Sequence, residues 1–105
     1  MSSVSIKIIG ADGSAIVSID ARDYDSGIVA DILRENNSVL LIPESQLNYG
    51  FITEIAGVVA VWGEEGSQWW WRLDINGQMA AQGISQARVS NGDTITFNLT
   101  EGFGE

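Results

Sequence analysis

Val4-Ser5-Ile6-Lys7-Ile8-Ile9 alternates apolar and polar positions, the period of a half-buried strand. Ala11-Asp12-Gly13 reads as a turn, with Gly13 free to take positive φ, and Ala15-Ile16-Val17-Ser18-Ile19 returns as the second strand of an opening hairpin. After Tyr24-Asp25-Ser26-Gly27, where Asp25 or Ser26 is available as a helix N-cap, the apolar period changes. Ile28, Val29, Ile32 and Leu33 share one side of a helix that ends at Arg34-Glu35-Asn36-Asn37, with Asn37 suited to a left-handed C′ position. This is the only segment with a convincing helical period.

The rest of the pattern is strand and turn. Val39-Leu40-Leu41-Ile42 is a short apolar run stopped by Pro43, the only proline, and Ser45 to Asn48 reads as loop. Tyr49 to Ile55 is strand-like, and Val58 to Trp62 continues it past Gly57. Gly63-Glu64-Glu65-Gly66-Ser67 is a turn by composition. Trp69 to Ile75 is a strong strand closed by Asn76-Gly77, the best two-residue hairpin signal in the chain. Met79 to Ile84 answers it weakly, Asn91-Gly92-Asp93 turns again, and Thr94 to Leu99 is the last strand. Residues 101–105 read as a loose tail. Strand–strand–helix–strands is the order of an α+β fold of the β-grasp kind: one domain over 1–105, its mixed sheet curled around one packing helix. A sandwich with a stray helix is the competing arrangement.

Composition narrows the chemistry. Five Lys and Arg against 14 Asp and Glu give a net charge of -9, and the five cations are scattered. Nucleic acid and anionic membrane surfaces both require a positive patch, so neither is an expected partner. The chain has no His and no Cys, which removes imidazole bases, thiol nucleophiles, disulfides and the usual zinc sites. An enzyme is therefore the least expected class. No stretch reaches the length of a membrane span, and Met1-Ser2-Ser3-Val4 lacks the features of a signal peptide. With no ligand set for a structural ion, the domain is expected to be a monomer that folds without metal, its sheet edges protected by charge.

Trp69-Trp70-Trp71 is the most unusual feature. Strand alternation puts Trp69, Trp71, Leu73 and Ile75 on one face and Trp70, Arg72 and Asp74 on the other. The apolar set reads as core. Trp70, whose face-mates are charged, is either a cation–π partner of Arg72 or a flat platform for a ligand. In Tyr49-Gly50-Phe51 the glycine either serves a turn or lets backbone approach a ligand between two rings. Glu64-Glu65 falls far short of a calcium loop, and nothing selects a pair of carboxylates for glycoside hydrolysis.

These motifs, in order, resemble a known family. Tyr49-Gly50-Phe51-Ile52-Thr53-Glu54-Ile55-Ala56-Gly57, then Trp70-Trp71-Arg72-Leu73, then Gln82-Gly83-Ile84 and Asn91-Gly92-Asp93, look like the C-terminal β-domain of transcobalamin and intrinsic factor and its bacterial transcobalamin-like modules. The resemblance spans about residues 26–99. It implies a binding domain that covers one side of a corrinoid, with a helical barrel as the partner on the other side. It places Tyr49, Gly50 and Thr53 in the loop and strand that approach the corrin, Trp71 and Leu73 on the neighbouring strand, and Ala80 in the segment before Gln82. Trp70 matches an aromatic position. It also implies an extracytoplasmic or cell-surface setting.

Three functions stand together at this point. The first is a non-catalytic module for cobalamin or cobinamide, part of a larger or two-component vitamin-binding system. The domain would hold the corrinoid without ligating its cobalt and without a metal ion of its own. The second is a bacterial surface adhesion or protein-interaction module that keeps the fold without the vitamin. The third is a carbohydrate-binding module, with Trp70, and Trp69 or Trp62, stacking on sugar rings.

Overall fold

The computed structural model describes residues 3–22, 24, 26–50, 52–60 and 68–101, and for Tyr49 the backbone alone. Five strands form the main sheet: β1 (Ser3–Ile9), β2 (Ala15–Arg22), β5 (Trp69–Ile75), β6 (Gln78–Met79) and β7 (Thr94–Glu101). Between β2 and β5 come α1 (Val29–Glu35), α2 (Asn37–Leu40), α3 (Glu44–Tyr49) and a small hairpin of β3 (Glu54–Ile55) and β4 (Val58–Val59). The sheet order is β2-β1-β7-β5-β6. β1 and β7 run parallel at its centre, and every other neighbour is antiparallel. The fold is α+β, with the mixed sheet and strand order of a β-grasp.

Register explains the core. Ile6 stands beside Ile95 and opposite Ile19, while Ile8 stands beside Phe97 and opposite Val17. Across β7, Leu73 faces Phe97, Trp71 faces Leu99 and Ile75 faces Ile95. One sheet face is therefore apolar on all four long strands, as period-two alternation requires. Helix α1 supplies buried Val29, Ala30, Ile32 and Leu33 to the same core. The opposite face carries Thr94, Thr96, Asn98 and Thr100 beside Trp70, Arg72 and Asp74.

The structure corrects the middle of the chain. Among the described residues, three short helices replace the single one expected, because four- and six-residue helices are too short to show a period. Asn37 does not take a left-handed C′ position: its side chain accepts from Ile42 N–H and donates to Ile42 C=O, both at 2.8 Å, and the chain makes a further turn. Leu41, at φ 55, is the left-handed residue instead. Residues 44–49 form α3 rather than loop, since the Pro43 carbonyl accepts from Gln46 and Leu47 and buries Leu47 beneath. The expected strand from 49 shrinks to Glu54–Ile55, and the chain reverses at Ala56-Gly57, φ 53 and 80, instead of continuing.

The N-cap of α1 also differs. Ile28 occupies it, and Ser26 Oγ accepts from Ile28 N–H rather than from a first-turn donor. The donors of Val29 and Ala30 go to the carbonyls of Ala87 and Ile84, each at 2.9 Å. Helix donors that lack an intrahelical partner are satisfied here by a distant loop. Asp25, Phe51, Trp62, Glu64, Glu65 and residues 102–105 of the expected tail lie outside the described residues.

At the tip of the β5–β6 hairpin, Asn76 and Gly77 have φ 55 and 83, as a type I′ turn needs. Gly77→Val should lower stability by about 1 kcal/mol or more, because a β-branched residue is strained there; thermal melting measures it. The Asn76 amide donates to Asp93 Oδ1 at 2.9 Å, and this bond, followed by the Ser90 N–H, holds the Asp93 carboxyl below its ordinary value. A carboxyl lowered in the folded state adds stability above its unfolded pKa, near 3.9, and loses it as pH falls through the folded value. Melting temperatures of Asn76→Gly should therefore fall less steeply than those of the parent below about pH 4.

Candidate functional site

Strand β6 pairs with β5 only at Asp74 and Ile75. Ala80 N–H still reaches the Leu73 carbonyl at 2.9 Å, and from there the segment leaves the sheet edge. Its destination is fixed by the helix: Ile84 and Ala87 lend their carbonyls to α1, and Gly83 C=O accepts from Ala87 N–H at 2.8 Å. Expected strand residues 80–84 are therefore loop, because two helix donors outcompete continued pairing. The divergence opens a cavity of about 280 Å³ between β5 and residues 79–84.

Trp71, Leu73 and Phe97 reach the cavity from the core side of the sheet, and Trp70 from the polar side. Met79, Ala80, Gln82 and Ile84 line it from the diverging segment, and Gly50 and Ile52 from the chain after α3. Gly50 caps α3 at φ 90. A Cβ there would stand 3.0 Å from Ser85 Oγ, and one at Gly83 would stand 3.8 Å from the Gly50 carbonyl. Gly50 is the one that the close approach requires, since 3.8 Å is an ordinary contact.

Five of the seven residues named from sequence thus meet around one space: Gly50, Trp70, Trp71, Leu73 and Ala80. Thr53 is not among the lining residues. It is held by Gln46, which accepts from Thr53 N–H and donates to Thr53 Oγ1, both at 2.8 Å. Gln46 Oε1 also accepts from Glu54 N–H, so this one side chain anchors the return from α3 toward β3. Tyr49 ends α3, and its side chain is outside the described part. Ile52, Met79 and Phe97 were not expected at the site. The strand register would have found Phe97, which faces Leu73, but nothing local marks the other two.

The structure places Trp71 and Leu73 both in the core and at the cavity. Both stand on the apolar face of β5 that packs into the core with α1, and both line the cavity. Arg72 is engaged by Asp74: Nε meets Oδ1 and Nη2 meets Oδ2, each at 2.9 Å, while Asn98 Nδ2 donates to Oδ2 at 2.7 Å. These bonds satisfy the buried carboxylate, and those from Arg72 to Asp74 raise the guanidinium above its ordinary value. Neither charged group lines the cavity.

Residues 27–101 match the family described as a domain of unknown function (DUF4430). No curated protein matches the chain. Among solved structures it is similar to a proposed metal-binding protein from Ruminococcus gnavus ATCC 29149, at 22% identity and TM-score 0.76, covering 98% of this chain and all of that one. It is also similar to haptocorrin in complex with Cbi, at 18% identity and TM-score 0.57, covering 95% of this chain and 25% of that one. At these identities the likeness is one of fold. Among the described residues, no group of three or more His, Cys, Asp or Glu is placed to hold a metal ion.

Gly50→Ala should destabilise the domain by about 1 kcal/mol from backbone strain at positive φ. The contact with Ser85 should add to that cost. Adding Ser85→Ala should recover only the contact share, which paired melting curves of the single and double variants would read out.

Proposed function

Because the chain belongs to the family described as a domain of unknown function (DUF4430), its role has to be read from the site, and we propose that it is a non-catalytic binding module for the edge of a corrinoid. The observation that carries this reading is the convergence of Gly50, Trp70, Trp71, Leu73 and Ala80 on one cavity. The fold likeness to a domain-sized quarter of haptocorrin, solved with Cbi, supports it.

The cavity's size sets the manner of binding. At about 280 Å³ it lies at the lower limit of pockets that enclose a drug-sized ligand, about 300–1,000 Å³. A corrin macrocycle is too large to enter and inserts an edge, with its amide fringe near backbone groups and Trp70 at the rim. With neither His nor Cys in the chain, the domain leaves the cobalt to other ligands. No catalytic step is assigned to it. The opposite side of the macrocycle is left for a second wall, the place of a helical partner domain in an extracytoplasmic uptake system.

A second reading, a protein-interaction module, is favoured by Val39, Leu41 and Val59, large apolar side chains left 46%, 58% and 53% exposed.

Titration with cobalamin and cobinamide, followed by Trp fluorescence and corrin absorption, tests the proposal. Binding should be micromolar or weaker, since a ligand covered on one side loses the usual translational and rotational freedom for only part of the contact. Trp70→Ala should weaken binding with little change in melting temperature. Trp71→Ala should reduce both affinity and stability. No spectral response at millimolar corrinoid would favour the interaction module.

A further inference from the structure

The two edges of the main sheet are closed to different degrees. At one side β6 is only two residues long, too short to template another chain. At the other, β2 runs from Ala15 to Arg22, and among the described residues no strand lies beyond it. β2 has no proline and no lysine, and its irregularity lies at its start, where the register with β1 shifts between Ile8 and Ile9. From Val17 to Arg22 the ladder is regular, and Ser18, Asp20 and Arg22 are exposed. The backbone direction along this stretch follows from one bond. Ser5 N–H donates to the Asp93 carbonyl at 3.0 Å, so Ser5 turns its backbone groups toward β7. Direction alternates along a strand, so Val4, Ile6 and Ile8 turn theirs toward β2, and their partners Ala21, Ile19 and Val17 answer them. The N–H and C=O groups of Ser18 and Asp20 therefore point out of the sheet.

A second copy of β2 fits this edge. With a two-fold axis at Ile19, Val17 stands opposite Ala21 of the other copy and the two Ile19 residues face each other, which continues the core face across the junction. On the other face Ser18 stands opposite Asp20 of the other copy, and the two exchange backbone bonds in both directions. The same hydroxyl–carboxylate contact already exists inside the chain, where Ser5, opposite Asp20, donates from Oγ to Oδ1 at 3.2 Å. An axis at Ser18 would set Asp20 against Ile16, and an axis at Asp20 would set two carboxylates against each other, a destabilising pair. Charge favours the same edge. Between Ser3 and Arg22 the charged residues are Lys7, Asp12, Asp20 and Arg22, which cancel, so the net charge of -9 belongs to the rest of the chain. Two copies that meet at β2 bring together the hairpin that carries no net charge.

We propose that β2 pairs antiparallel with β2 of a second copy of this chain, joining the two sheets about a two-fold axis at Ile19. The cavity lies at the β5–β6 side of each copy, so the pairing leaves both cavities open and does not depend on what they hold. One strand a side is small beside the roughly 20–30 residues a side of a standard interface, so the dimer is weak, with a dissociation constant of about 100 μM.

Sedimentation velocity from about 10 μM to about 1 mM should show monomer passing into dimer, and a chain still monomeric at the upper limit overturns the proposal. Over the same range, amide exchange at Ser18 and Asp20 should slow, while that of Ile19, already bonded to β1, stays as it is. Ser18→Asp sets like charges opposite each other twice and should weaken the dimer about tenfold. Lys7 stands opposite Ser18 in β1 and offers the new carboxylate a cation, so the fold is retained. Exchanging the two residues, Ser18→Asp with Asp20→Ser, keeps the composition and the net charge and rebuilds both pairs between copies. That double variant should return to within about threefold of the parent affinity. A dimer untouched by Ser18→Asp, or an exchange as weak as the single variant, would mean that the copies do not meet through this edge in this register.

Discussion

Two hydrogen bonds organise this domain around its cavity. Val29 and Ala30 open α1 with backbone donors that no side chain caps, and the carbonyls of Ala87 and Ile84 accept them. The loop that caps the helix is thereby drawn off the sheet edge, and the gap it leaves is the cavity. Gly27 completes the junction: its carbonyl accepts from Val89 N–H at 2.8 Å, and a Cβ on it would stand 2.8 Å from the Val89 carbonyl. Helix position, loop path and pocket shape are therefore a single constraint. A change that loosens the loop exposes helix donors as well as altering the pocket.

How much of this was legible depended on the range of each interaction. β1, α1, β5 and β7 announce themselves through local periodicity, and Asn76-Gly77 through turn chemistry, so the α+β order followed from the chain. The corrections cluster between residues 36 and 60, where structure comes from side-chain-to-backbone bonds. Asn37 with Ile42 and Gln46 with Thr53 are polar contacts five and seven residues apart that no apolar period encodes. Single helical turns such as α2 take their stability from packing rather than from propensity. Leu40, fully buried, supplies it there.

The candidate site was legible in part for the same reason. Gly50, Trp70, Trp71, Leu73 and Ala80 are near or on a strand whose alternation is plain, and the family resemblance pointed at them. Sequence alone left Trp71 and Leu73 divided between core and ligand surface. That both also line a cavity follows only from β6 ending after Met79, where the carbonyls of Ile84 and Ala87 serve a helix some 55 residues earlier in the chain. Thr53 carries the opposite lesson: a motif position can owe its place to a neighbour such as Gln46.

The parallel pairing of β1 with β7 has a consequence for how the domain comes into being. The last strand in the chain is the middle strand of the sheet, bonded to β1 on one side and β5 on the other. Until Thr94–Glu101 is available, β1 and β5 lack the strand that joins them in the sheet. On a ribosome the domain therefore waits for its final strand. Contacts this distant in sequence close slowly, and through that interval Trp69, Trp71 and Leu73 stand open to chaperones or to neighbouring chains. A vacant central slot also makes the β7 segment the natural point at which two copies would exchange strands, a hazard set by topology rather than by the strength of any single contact.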